Sequence, residues 1–439
     1  AMGYTPISCG KAGVIAIAGG KKPGKVFLIR GDMDALPIQE EAEIDYPSKN
    51  GNMHACGHDM HTTMLLEAAR ILKKHEEELE GTVKLMFQPA EEIFEGSKDM
   101  IDAGLLKNPD VNAGMMIHVV SGMSFPNGTV IVCDGGVSAP AADYFTIKIQ
   151  GKGCHGSMPN NGVDPINVAA HVVIALQEIH ARELSLMDKA VLTIGTIHAG
   201  KTGNAIPDIA ELSGTIRTYD EEVRNQIKTR ITEIVSHIAK AFRAQAVVEF
   251  GSSCPTLVND AELSTCTLKY IQELNDSKMV FSAGQLAKMS KGKDSKSSGS
   301  EDFAYVSHEI PTIMLTMAAG NPKDGYSYPQ HHPKVKFDEH ASVSQGVKKQ
   351  LNADLCKAIE SGDKYEIALI HSGVKGLEYS IREYMEKYAY PIKVSDAVQD
   401  IVDTIDEKKM RGKFKAAIYD DRRKVENIRE KIKEIGEEK

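Results

Sequence analysis

At 439 residues the chain exceeds one ordinary hydrophobic core, so two or three domains are expected. A 42% apolar and 26% charged composition is that of a soluble globular protein, and no apolar run reaches the roughly 18 residues that a membrane span needs. A formal charge of −9 with no arginine-rich block argues against nucleic acid as the main partner.

In chain order, the run Lys25 to Arg30 (K-V-F-L-I-R) ends at Gly31 and reads as a buried strand. Helical spacing from Asp59 to His75, closing on lysines, predicts a helix. Thr82 to Gln88 predicts a strand, Gly96 to Leu106 a helix, and Gly114 to Val119 another strand. This alternation implies an α/β layer with a mostly parallel sheet flanked by helices, in which chemistry gathers at the carboxyl ends of strands. Asp32, Asp34, Glu91, Glu92 and His118 all fall at or just past such ends.

Near residue 140 the pattern changes. Asp143 to Gly151 alternates apolar and polar residues, and Asp164 to Leu184 is an amphipathic helix opening on Asp164-Pro165. Strands are expected at Lys189 to His198, Ala210 to Tyr219 and Ala246 to Gly251, with a helix from Glu221 to Phe242. Two helices on one face of an antiparallel sheet make a self-contained α+β insert. The α/β character returns with a helix at Ala261 to Leu274 and a strand at Thr312 to Met317. The expected division is 1–140 and 254–345 for one domain, 141–253 for the insert, and 346–439 as an extension of unknown role. That extension holds a further expected strand, Lys364 to His371. The turn at Ser372 to Gly376 lacks the full phosphate-loop pattern and reads as an ordinary strand–turn–helix.

The densest chemical signal is Met53 to His61, M-H-A-C-G-H-D-M-H. A thiol, three imidazoles and a carboxylate in so short a stretch suit a borderline divalent ion. Cys56 and His58, two apart on an irregular turn, can reach a common ion pair, and a thiolate can bridge two cations. His54 and His61 are placed outside the ligand set. Adjacent Glu91 and Glu92, on extended backbone, would point opposite ways, one to metal and one to water. His118 and the pair His331-His332 are further candidates from distant segments. Asp32 and Asp34 (R-G-D-M-D) can orient a ligand histidine. In the insert, glycines around His155 suggest close approach to a ligand, Asn204 lies on a neighbouring element, and Arg217 suits a substrate carboxylate. Seven widely spaced cysteines without a C-x-x-C favour free thiols in a reducing cytoplasm, and no signal peptide is visible at the start.

The stretches R-G-D-M-D-A-L-P-I, H-A-C-G-H-D-M-H-T-T, F-Q-P-A-E-E, G-C-H-G-S-M-P, G-V-D-P-I, T-I-G-T-I-H-A-G, G-T-I-R-T, G-S-E-D-F and Q-H-H-P, in that order, closely resemble the amidohydrolase branch of the co-catalytic metallopeptidases. That branch includes hippurate hydrolases, N-acyl-amino-acid amidohydrolases and auxin–amino-acid conjugate hydrolases. The resemblance implies a catalytic α/β domain interrupted by a lid and dimerisation domain, a homodimer, and two divalent ions per chain (Mn, Zn, Co or Ni). It implies Cys56, His58, Glu92, His118 and His331 as ligands and Glu91 as the general base, with His155, Asn204 and Arg217 binding an N-acyl amino acid substrate. A dipeptidase or aminopeptidase on the same scaffold, or a non-catalytic dimerising protein, are the competing readings. The sequence departs from the family pattern in three places: the helix and strand expected ahead of Met2, Cys154 where glycine is common, and residues 346–439.

Overall fold

The computed structural model describes residues 2–274, 279–289 and 299–338. The expected extension 346–439, with its strand at Lys364 to His371 and the turn after it, lies outside the described residues. The chain divides into two compact units. The larger comprises residues 1–40, 48–118 and 130–316. Its eight-stranded sheet runs β1 (Ile7–Cys9), β2 (Gly13–Gly19), β4 (Thr82–Gln88), β3 (Val26–Asp32), β5 (Ala113–Val120), then Thr312–Ala318, Val130–Val132 and Val280–Ser282. β3 pairs in parallel with both β4 and β5, whereas β2 runs antiparallel to β1 and β4. The sheet is therefore mixed, with its antiparallel edge formed by two strands the sequence patterning did not reveal. Helices α1 (His58–Lys74) and α2 (Gly96–Asp102) follow β3 and β4.

The interior of this layer is apolar: Leu28, Met86, Met100, Met116, Ile313 and Leu315 are fully enclosed. One cation sits among them. Lys84 is wholly buried in the middle of β4, and its ammonium donates to the carbonyls of Leu105, Lys107 and Pro109 at 2.8–3.1 Å. Those carbonyls belong to the turn that ends α2, so a charge in a buried strand fixes the following crossover. α2 is shorter than its periodicity suggests because Gly104 takes a left-handed φ of 93°, which stops the helix.

A second, four-stranded antiparallel sheet occupies Ala141–Gln150, Ala190–Ala199, Ile209–Thr218 and Gln245–Cys254. Its period-two pattern buries Phe145, Ile147 and Ile149 against helices α3 (Pro165–Glu178) and α4 (Glu221–Ala241). α4 contributes Val223, Ile227, Ile231 and Val235 at four-residue spacing, one apolar stripe. Both helices begin on an aspartate whose side chain accepts first-turn amides, Asp164 for α3 and Asp220 for α4. The helix expected to reach Leu184 instead passes into a π-helical stretch at Ile179–Glu183.

The smaller unit, described over residues 41–47, 119–129 and 317–338, is tied together by polar bonds between distant segments. Asn127 donates to Asp338 at 2.6 Å, and Ser121 donates to the carbonyl of Lys336 at 2.7 Å. Among the described residues, no helix is long and apolar enough to cross a membrane.

One ion cluster ties α4 to its sheet. The buried Asp143 carboxylate accepts two bonds from Arg224, at 2.7 and 2.9 Å, and one from Lys228, a helical turn later, at 3.0 Å. Burial opposes ionisation of Asp143, but the Arg224 and Lys228 bonds and charges outweigh it and hold its pKa below the usual carboxylate value. Stability from this group is thus present above the unfolded-state pKa and is lost as pH falls through the lower folded-state one. Asp143→Ala is expected to cost about 2–3 kcal/mol near neutrality, because it takes from Lys228 its carboxylate and leaves Arg224 with Glu221 alone. Urea unfolding at several pH values checks this: the gap between wild type and variant should be flat near pH 7 and close on acidification below about pH 4.

Candidate metal centre

The carboxyl end of β3 enters the centre as Arg30-Gly31-Asp32, all three buried. After β3, a loop carries Asp34 and then Cys56, and α1 starts at His58. Its N-cap, Gly57, has φ 83°, a left-handed value that lets the chain turn sharply and present His58 and His61 from one helix end. From β4, Gln88-Pro89 leads into a turn over residues 91–94 that carries Glu91 and Glu92, and α2 follows at Gly96. Glycine is needed there: a Cβ at Gly96 would lie 1.6 Å from the Pro89 carbonyl. β5 delivers His118.

These segments converge. His58 is buried, with Nε2 3.9 Å from a Glu92 oxygen, 4.0 Å from a Glu91 oxygen and 3.3 Å from Asp32. The Cys56 thiol lies 3.6 Å from His118 Nε2. Cys56, His58 and His118 offer donor atoms all within 4.8 Å of one another, as do His58, Glu91 and Glu92. Glu91 and Glu92 were expected on extended backbone, facing opposite ways. They lie instead on a turn with Ala90 at φ 56° and Phe94 at φ 57°, and both carboxylates approach the same imidazole.

The donors fit a divalent cation on three observations. Among the described residues, His58 Nε2 is buried and makes no hydrogen bond, while Nδ1 is engaged by Asp34 at 3.1 Å. A carboxylate on one ring nitrogen is what leaves the other free to face an ion. Second, burial disfavours a charged His58, yet the Asp34 hydrogen bond and the Asp32 and Asp34 charges raise its pKa to about 9. The same carboxylates that favour positive charge on this ring would favour a cation at Nε2. Third, burial, followed by the charges of Glu92 and Glu91, drives the Cys56 thiol far above its ordinary range, whereas coordination to a cation would ionise it.

Around this set lies a shell that residue spacing had not exposed. Arg30 is fully buried and donates from Nε to Gln88 at 2.8 Å and from Nη2 to Glu301 at 2.7 Å, and its Nη1 pairs with Asp32 at 2.8 Å. Burial would raise Asp32, but Arg30 and then His61 pull it well below the carboxylate range. His61, expected as a bystander or as support behind a ligand, is buried with Nδ1 on Asp32, and burial lowers its pKa to about 4, so it is neutral. His54 bonds the Asp34 carbonyl at 3.0 Å. Burial, then the nearby charges of Glu301 and Asp302, raises Glu91 well above an ordinary glutamate. Asp302 is raised to about 7 by burial, and Arg30 opposes this.

The substrate-binding candidates His155, Asn204 and Arg217 lie elsewhere. His155 and Asn204 meet on a two-stranded ribbon, where the Gly156 amide donates to the Asn204 carbonyl at 2.8 Å and the exposed His155 accepts from Ser157. Arg217 lies over the Tyr144 ring at 5.1 Å and donates to its hydroxyl at 3.1 Å. Among the described residues, neither His155, Asn204 nor Arg217 belongs to a cluster of metal-ligating groups. His331 lies in the smaller unit, at φ 64° on an exposed turn whose next residue, His332, stacks on Tyr328.

The comparisons with known proteins make this a hydrolase of amide C–N bonds that uses divalent metal. Residues 28–351 match the peptidase family M20/M25/M40, and the chain belongs to that family. It is 38% identical over 334 residues to the N-acetyl-L-cysteine deacetylase of Bacillus subtilis, covering 76% of this chain and 75% of that protein. Thermostable carboxypeptidase 1 of Saccharolobus solfataricus is 37% identical over 324 residues, 73% of this chain and 78% of that one. The Bacillus subtilis YxeP protein, a dinuclear metal-binding peptidase of the M20 family, superposes with a TM-score of 0.61 at 32% identity, covering 78% of this chain and 84% of that one.

Asp34→Asn should weaken binding of Mn or Zn by about 10- to 100-fold, the usual cost of losing the carboxylate behind a ligand histidine. Isothermal titration of the metal-free chain measures this, and an unchanged affinity would remove His58 from the ligand set.

Proposed function

We propose that this chain hydrolyses the amide of N-acyl amino acids with a pair of divalent ions held by Cys56, His58, Glu92, His118 and His331. The observation that carries the proposal is the buried His58 Nε2, without a hydrogen bond among the described residues and facing Glu91 and Glu92. Divalent ions of this class, when bound, polarise a carbonyl and acidify water.

The chain's own groups supply the rest. Glu91, with its pKa raised by burial and by the Glu301 and Asp302 charges, is suited to take a proton from the attacking water and return it to the departing amine. Asp34 keeps the His58 ring in one tautomer. His155 and Asn204, on their exposed ribbon, would meet the developing oxyanion, and Arg217 the substrate carboxylate. We read the four-stranded sheet and its two helices as a lid. Its outer strand, Ala190–Ala199, exposes Val191 and Ile197 at an unpaired sheet edge, which supports a homodimer formed by strand pairing.

The deacetylase relative supports an N-acyl substrate, and the carboxypeptidase relative, at nearly the same identity, keeps peptide hydrolysis as the second reading. A panel of N-acetyl and N-benzoyl amino acids, free dipeptides and N-blocked dipeptides separates them: an aminopeptidase or dipeptidase requires a free α-amine, and a carboxypeptidase also cuts the blocked dipeptides. Within the panel, Glu91→Gln should lose activity on the order of 100-fold or more while elemental analysis shows undiminished metal. Full activity in that variant would rule out Glu91 as the base.

A further inference from the structure

The turn bearing Glu91 and Glu92 leaves the sheet at Gln88 and enters α2 at Ser97, and one distant carboxylate holds both ends. Asp302 Oδ1 accepts from Gln88 Nε2 at 2.6 Å, and Oδ2 accepts from the Ser97 amide at 3.0 Å. The loop is closed across its base by Ser97 Oγ, which donates to Gln88 Oε1 at 2.9 Å, the same oxygen that accepts from Arg30 Nε. Asp302 is wholly buried, and Arg30 Nη2 lies 3.3 Å from its Oδ1. Between the two anchored ends, Ala90 and Phe94 sit in the left-handed region, which residues with a Cβ disfavour and which persists only where the surroundings impose it.

We infer that Asp302 is a positioning residue, a clamp that joins Gln88 to Ser97 and so forces the intervening turn to aim both glutamates at His58. Asp302 touches no reacting atom in this account; it acts through Gln88 and Ser97. Its catalytic consequence rests on the hydrolase reading above, whereas the clamp itself rests on the hydrogen bonds alone. Asp302→Asn keeps the shape but turns one acceptor into a donor, which then faces a donor from Gln88 or Ser97. The exposed end of the turn is also tied down, by Ser252 Oγ donating to the Ile93 carbonyl at 2.7 Å and by Phe94 stacked on Tyr144. Loss of the clamp should therefore loosen the turn without releasing it.

The test is amide hydrogen exchange on the full chain kept metal-free with a chelator, comparing wild type with Asp302→Asn. Exchange at Phe94, Glu95, Gly96 and Ser97 should quicken about tenfold, with α3 and α4 unchanged. Zinc affinity should fall by about tenfold, because Glu92 is no longer pre-aimed, and kcat should fall with KM nearly unchanged. If Asp302→Asn does not fold, Gln88→Met removes the side-chain bond to Asp302 Oδ1 itself and should give a smaller change confined to the same amides. Unchanged exchange across 94–97, or an equal increase in α4, would overturn the clamp. A wild-type chain that hydrolyses no acyl amino acid, yet shows the localised exchange change in the variant, would overturn the hydrolase reading and leave the clamp standing.

Discussion

The Arg30 guanidinium is the constraint on which the rest of the metal centre depends. It is fully enclosed at the end of β3, and it reaches Asp32 on its own strand, Gln88 at the end of β4, and Glu301 and Asp302 from far along the chain. A buried cation is tolerated only when its hydrogen-bonding capacity is met by well-placed partners, and a planar fork meets several carboxylates at once. Each partner then does something further. Asp32 supports His61 and lies beside His58; Gln88 and Asp302 bracket the turn of Glu91 and Glu92. Replacing Arg30 by lysine would keep the charge and lose the geometry.

Charge balance explains why the centre suits a cation. Asp32, Asp34, Glu91, Glu92, Glu301 and Asp302 crowd around one arginine and the His58 imidazole. The excess shows as carboxyl groups pushed upward at Glu91, Glu301 and Asp302, and as a thiol at Cys56 that resists ionisation. Divalent ions would relieve each of these at the same time, displacing protons from the donors they meet. The second sheet plays a different part: its core is apolar and its one buried carboxylate, Asp143, is fully matched by Arg224 and Lys228.

Much of this was legible in the residues because the signals are local. β4 begins and ends where its apolar run does, and α4 follows its four-residue stripe almost to the end. The density of Cys56 and His58 beside strand-end carboxylates pointed to a metal centre for the same reason. What stayed hidden depends on contacts between distant segments. Glu301 and Asp302 lie more than two hundred residues from Gln88, and no periodicity connects them. Arg30 and Gln88 close apolar strands, where a polar side chain reads as the strand's exposed end rather than as a buried partner. Whether His61 was a bystander or a support stayed open because helical spacing cannot tell a helix face turned to solvent from one turned to Asp32. The turn at Glu91 was misjudged as extended because left-handed φ values at Ala90 and Phe94 have no glycine to announce them.

The central claim is that Cys56, His58, Glu92 and His118 are metal donors organised by the Arg30 network. A crystal of the full chain grown with manganese, with diffraction recorded at the manganese absorption edge, tests it directly. Anomalous density against the Cys56 sulfur and the imidazoles of His58 and His118 is the predicted result. Manganese peaks only at surface carboxylates, with His58 Nε2 facing no ion, would contradict it.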